Sequence, residues 1–221
     1  MPESGEPLSR YGPSATTRRL LDAAAAEFLE RGYDGSVISN IARRAGLSTG
    51  AIFSRWPTKD DIMVAAVDHI LEKIGTHQRM ADLGISDAEP VEILVTWGID
   101  LLTADFAQSA LKHLFGSAHA YPSIQQRLQE FLEKQADQLA VMVEQTKADG
   151  MCDPELSTTA LALMIQAIGV GTDLLISAGR SERLIPSERD WADVIVRMFA
   201  AAATTDSNSG QEDANAGSND A

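Results

Sequence analysis

Residues 38–55, ISNIARRAGLSTGAIFSR, are the stretch on which the fold turns, and they read as two short helices joined by a tight turn. Two helices that cross steeply need a small side chain at the crossing, which Ala42 supplies. They also need a left-handed residue between them, which Gly46 provides without steric cost. Ile38, Ile41, Ala45, Leu47 and Ile52 converge as a shared core. Ser36 and Ser48 stand where the two helices would open, since a serine hydroxyl accepts from a first-turn amide. The spacing therefore predicts helices over 36–45 and from 48 to about 56, before Pro57. Thr49, Gly50, Ala51, Ser54 and Arg55 stay outside the core, on the face a helix-turn-helix lays in a DNA groove. An ordinary helical hairpin carries the same small-residue-and-glycine pattern, so the motif alone leaves both readings open.

Working outward, apolar residues recur every three or four positions almost throughout, and no Val/Ile/Thr alternation marks a strand. The expectation is an all-α chain of about nine helices. One runs from Ser14–Thr16 to Arg31, with Leu20, Leu21, Ala24, Phe28 and Leu29 on one face and Gly32 as its stop. Another runs from Thr58 to about Gly75. Five more are expected over 91–104, 107–115, 122–149, 154–177 and 187–203. Their signals are Gly150 and Gly179 as stops, Asp153-Pro154 as a cap with a first-turn proline, and Ser187 with Asp190 as a capping box. The predicted organisation is a flexible arm (1–13), a three-helix helix-turn-helix domain with a fourth, linking helix (14–75), a helical body (76–203) and a disordered acidic tail (204–221).

The net charge of −14 argues at first against nucleic acid, whose binding rests on Lys and Arg. Its distribution reverses that. Residues 8–59 hold eight basic side chains against four acidic ones, leaving ten basic and 28 acidic elsewhere, so a basic head joins an acidic body. Cys152 is solitary, which excludes an internal disulfide framework and fits a reducing cytoplasm. No basic stretch followed by an apolar run opens the chain, and no uninterrupted apolar window of about 18 residues occurs. A cytoplasmic protein with no membrane partner is expected. No nucleophile-base arrangement, phosphate-binding glycine loop or zinc spacing is present, so neither an enzyme nor a cofactor or metal site is expected.

Three linked segments resemble the N-terminal domain of the tetracycline-repressor (TetR) family, over roughly 17–74. They are Leu20-Leu21-Asp22-Ala23-Ala24 with Phe28-Leu29-Glu30-Arg31-Gly32, then Asn40 to Ser48, then Gly50 to Asp60. The resemblance implies that Lys59 opens the fourth helix against a DNA phosphate. It makes Arg44, Ser48 and Arg55 phosphate or groove contacts, with Thr49, Gly50, Ala51 and Ser54 facing base edges. For Arg43 and Arg44 a plain solvated helix face reads equally well. Phe53 departs from the family's usual Tyr, removing a phosphate-directed hydroxyl, and Trp56 replaces a usual Phe.

The resemblance further implies that the body is a ligand-binding and dimerisation domain. The protein would be a homodimeric repressor on a palindromic double-stranded DNA operator, released by a small-molecule effector. The candidate ligand residues are Trp97, Phe106, His113, Phe115, His119, Tyr121, Met142 and Gln166. For each, a place in a helical core or on the surface is the plainer reading. The candidate dimer residues are Leu161, Ile165, Ile168, Gly169 and Thr172 on one helix and Trp191, Ile195, Met198 and Phe199 on the next, around faces that could meet partners on both sides. A rival reading, motivated by the modest local charge and by Phe53, is a helical ligand-binding or interaction protein with weak or lost DNA binding. An all-helical enzyme is a further rival, disfavoured by the missing constellation.

Overall fold

The computed structural model describes residues 14–86, 88–103, 105–179 and 181–201; the expected arm and tail lie outside them. Among these residues the chain is all α-helical and contains no strand. Ten helices are seen: α1 (Ala15–Gly35), α2 (Ile38–Ala45), α3 (Thr49–Phe53), α4 (Lys59–Ile74), α5 (Thr76–Asp82), α6 (Pro90–Thr103), α7 (Asp105–Ala118), α8 (Pro122–Ala148), α9 (Thr158–Ser177) and α10 (Glu188–Ala201). The described residues fall into two compact units, one within 14–75 and 109–131, the other within 76–108 and 132–201.

The first unit is built on short-range signals. The Ser14 hydroxyl accepts from the Thr17 amide and opens α1. Gly32 breaks α1 with φ 66° and ψ −173°, as its stop signal predicts, although a last turn continues to Gly35. Ser36 does not open α2. Its hydroxyl donates back to the Gly32 carbonyl at 2.6 Å, and Val37 takes the cap position. Gly46 ends α2 in the left-handed region (φ 63°, ψ 37°), and the Leu47 amide closes onto the Ala42 carbonyl at 2.9 Å. The Arg19 guanidinium meets the exposed end of α2 at the Ala45 carbonyl, 2.6 Å away.

Thr58 and Asp61 form a reciprocal capping box at the head of α4. Leu20, Phe28, Ile41, Ile52, Ile62, Met63 and Ile70 are buried in this unit. Asp22 of α1 binds His69 and Lys73 of α4, each at 2.8 Å, and the Lys73 ammonium leads in holding its carboxyl below the usual carboxylate range. Leu114, Ile124 and Leu128 are buried in the segment that the helical order alone assigns to the body but which clusters here.

In the second unit Leu139, Val143, Ala162 and Ile165 form a core on which Trp97 and Leu161 pack. Gly169 lets α9 approach the Trp97 indole so closely that an added Cβ would lie 2.8 Å from it. The Trp191 indole of α10 donates to the Gly98 carbonyl of α6 at 2.8 Å. The Ser187 hydroxyl accepts from the Asp190 amide at 3.1 Å, as the capping-box reading expects. By contrast, α9 begins at Thr158, capped by Ser157, and not at Pro154. That helix is apolar enough by composition to cross a membrane, with mean hydropathy 1.7. Its Ala162, Ile165, Gly169 and Asp173 are instead buried within the unit, and Gln166 donates to the Leu132 carbonyl at 2.8 Å.

Candidate nucleic-acid interface

Helix α3 is held by its neighbours at its ends and along one edge. Ile52 is buried against the unit's core, the Ser48 hydroxyl accepts from the Ala51 amide at 3.2 Å, and the left-handed Gly46 sets the angle at which the helix leaves α2. What remains outside is the surface expected from the sequence. Thr49, Gly50, Ser54 and Arg55 are exposed, Ala51 is half-buried, and Phe53 is 47% exposed. Small side chains on a fixed helix let backbone and methyl groups come close to base edges. Arg55 lies along the helix, donating to the Ala51 carbonyl at 2.9 Å.

The cations around this surface are not equivalent. Arg44, a candidate phosphate contact, is bound by both terminal nitrogens to Glu30 at 2.7 and 2.6 Å, with Glu27 3.5 Å away. That pairing lowers the Glu30 carboxyl, chiefly through the Arg44 hydrogen bonds. Glu27 is itself 1% exposed and also accepts from Asn40 at 2.9 Å, so Arg44 fastens α2 to α1. Arg43 donates to Asn40 at 2.8 Å and, with Arg19 and Arg44, lines an open groove beside Gly46. Lys59 is the first residue of α4. Its ammonium donates to the Asp34 carbonyl at 3.3 Å and lies 5.0 Å from the centre of the Tyr33 ring. The sequence reading missed Arg19, Tyr33 and Asp34. The clue was their place at the two ends of α1, next to its cap and its break.

The model of the tetR family of bacterial regulatory proteins matches residues 20–66, which carry the helix-turn-helix and the start of α4. The regulator PksA of Bacillus subtilis is 33% identical over 75 residues, 34% of this chain and 36% of that protein. The repressor KstR2 of Rhodococcus jostii is 27% identical over 109 residues, 47% and 53% of the two chains. Over residues 20–66 the chain is similar to the TetR family.

The stretches matched span about a third and about half of those two relatives' lengths. A TetR-family regulator from Cytophaga hutchinsonii shares the fold over 88% of this chain and 99% of its own, with a TM-score of 0.72 at 13% identity. FadR of Bacillus subtilis, solved with stearoyl-CoA, shares it over 84% and 98%, with a TM-score of 0.63 at 18% identity.

The residues expected to line a TetR ligand pocket divide between the two units. His113, Phe115, His119 and Tyr121 belong to the first unit. The His113 ring stands edge-on to Phe28, with centroids 6.3 Å apart, and burial pushes its pKa below the usual range. Tyr121 stacks on Tyr33, and His119 is exposed. Trp97, Met142 and Gln166 belong to the second unit, where Trp97 covers Gly169 and Gln166 holds the Leu132 carbonyl. The Phe106 and Phe199 side chains lie outside the described residues.

Of the dimer residues expected on α9 and α10, Ile165, Gly169 and Ile195 are buried inside the chain's own unit, and Trp191 is bonded to α6. Leu161, Ile168, Thr172 and Met198 are half-buried. The apolar residues that α9 leaves most exposed are Leu163 and Leu175.

Proposed function

We propose that the protein is a ligand-responsive DNA-binding transcriptional regulator acting in the cytoplasm. It is a homodimeric repressor that reads a palindromic operator and is released by a small-molecule effector. The observation that carries this reading is the exposed small-residue face of α3, set by Gly46 and Ser48 and flanked by Arg55 and Lys59. Thr49, Gly50, Ala51 and Ser54 meet base edges; Ser48, Arg55 and Lys59 meet phosphates, with Phe53 against the sugar edge. Arg44 serves the site indirectly, by holding α2 on α1.

The second unit holds the effector. The stearoyl-CoA bound to FadR is an instance of a ligand held by the same fold. The effector acts only through its different affinity for the DNA-competent and incompetent arrangements of the dimer.

Selection from a randomised duplex pool is the test. The expected result is enrichment of an inverted repeat whose half-sites lie about one helical turn apart, about 34 Å. No enrichment at low salt would sink the reading. On the selected duplex, Lys59→Ala is expected to weaken binding alike for matched and mismatched sequences and to flatten the salt slope by about one, measured by fluorescence anisotropy. Thr49→Val is expected to change preference at one base pair, by about 1–3 kcal/mol of discrimination, and to leave the salt slope alone.

A further inference from the structure

We infer that Tyr121, outside the helix-turn-helix at the foot of α8, is a positioning residue for DNA binding that holds the Lys59 ammonium in place through Tyr33 and Asp34. This rests on the DNA-binding reading above. The contacts lie within the first unit and form a closed chain. Tyr121 stacks on Tyr33 with ring centroids 3.9 Å apart and an interplanar angle of 30°, and its hydroxyl donates to the Asp34 carboxylate. The backbone carbonyl of that same Asp34 accepts from Lys59, whose ammonium also faces the Tyr33 ring.

The Tyr33 hydroxyl donates to Asp60 at 2.9 Å, and Ser123, two residues beyond Tyr121, donates to the same Asp60 oxygen at 3.3 Å. Both acidic residues that flank Lys59 are thus tied to the start of α8.

The chemistry of the pair fits a fixed clamp. Burial first, then the bond to Asp60, pushes the Tyr33 phenol up to about 12, and the Asp34 bond raises Tyr121. Both hydroxyls therefore stay protonated donors across the neutral range. A lysine is a flexible point charge with several freely rotating bonds, and its phosphate contact gains when neighbours restrict it beforehand. Asp34 sits two residues past the Gly32 break, in the last turn of α1. Tyr121, the residue that precedes α8, supplies a restraint on Asp34 from outside the DNA-facing surface.

The test is a double-mutant cycle on the duplex recovered by selection, read by anisotropy over a range of salt. Tyr121→Ala is expected to weaken binding about tenfold and to lower the salt slope by about one, the signature of one displaced phosphate contact. Tyr121→Phe, which keeps the stacking and loses the Asp34 bond, is expected to fall between the two. In the Lys59→Ala background, Tyr121→Ala is expected to cost less than about twofold more, because the group it positions is gone.

Equal losses with and without Lys59, or wild-type affinity and slope in Tyr121→Ala, would overturn the inference while leaving DNA binding intact. Should Tyr121→Ala lose helicity, Tyr121→Phe decides: wild-type affinity and slope in that variant overturn the inference as well. A wild-type protein that binds no duplex overturns the DNA-binding reading itself and takes this inference with it.

Discussion

Replacing Arg79 with Met is expected to cost the protein on the order of 3–5 kcal/mol of stability at pH 7.5. The Arg79 guanidinium of α5 donates from Nε to the Asp100 carboxylate at 2.9 Å and from a terminal nitrogen to the same oxygen, and it lies 3.7 Å from Asp173 of α9. Asp173 is 2% exposed, and its Oδ1 has no hydrogen-bond partner among the described residues. Removing the cation leaves the buried Asp173 beside Asp100 without its neutralising neighbour, so the carboxyl must stay charged at a cost or take up a proton. Urea unfolding at 25 °C measures the loss. A cost below about 1 kcal/mol would show that the cluster is solvated in practice.

The same cluster makes stability depend on pH. Burial pushes the Asp173 carboxyl up to about 6; Arg79 offsets part of this and Asp100 adds to it. The native state therefore holds the proton more tightly than the unfolded chain, whose Asp titrates near 3.9. The stabilising effect of that proton is complete below about pH 4 and is lost as pH rises through about 6, a difference of up to about 3 kcal/mol. Asp173→Asn mimics the protonated form at every pH. Its melting temperature is expected to match wild type near pH 4.5 and to exceed it by about 5–10 °C at pH 8. Parallel curves would refute the assignment. In the Arg79→Met background the same Asn is expected to recover most of the lost stability.

Asp173 could have been noticed in the sequence, since it is the one charged residue between Thr158 and Ser177. Its partners could not, because Arg79 and Asp100 are brought to it only by packing. The helix-turn-helix was legible for the opposite reason. Gly46, Ser48 and Ile52 each do their work within a few residues, so local chemistry and final geometry agree.

Where a local rule failed, a competing contact had intervened. The break at Gly32 offers Ser36 a carbonyl to bind, and Val37 becomes the cap. Helix α5 has no buried residue, so it leaves no periodic stripe to read. Leu114 and Ile124 are buried in the first unit, a placement that no local signal in the sequence carries. Half of the expected ligand residues lie in the first unit for that reason.

The largest functional effect is expected from Leu163→Glu with Leu175→Glu: the proposed homodimer is expected to become a monomer, and operator affinity to fall on the order of 100-fold or more as the two heads lose their linkage. Helix α9 is apolar on every side, so its sequence alone could not say which face meets a partner. Packing within the chain uses Ala162, Ile165, Gly169 and Asp173. The opposite stripe is Leu163, Ala167, Gly171 and Leu175, at four-residue steps along one line.

Leu163 is 62% and Leu175 56% exposed, and an added Cβ at Gly171 would meet nothing within 4 Å. Val194 on α10 is 54% exposed as well. Large apolar side chains interleaved with Ala and Gly let a second helix approach closely, which suits pairing with a second copy. Because both leucines are exposed within the single chain, glutamates there should leave the helical content unchanged and the monomer stable within about 0.5 kcal/mol. Light scattering on the eluting protein reads the outcome. A variant that stays dimeric places the interface on another face, whereas one that dissociates yet binds the selected duplex at wild-type affinity removes dimerisation from the mechanism.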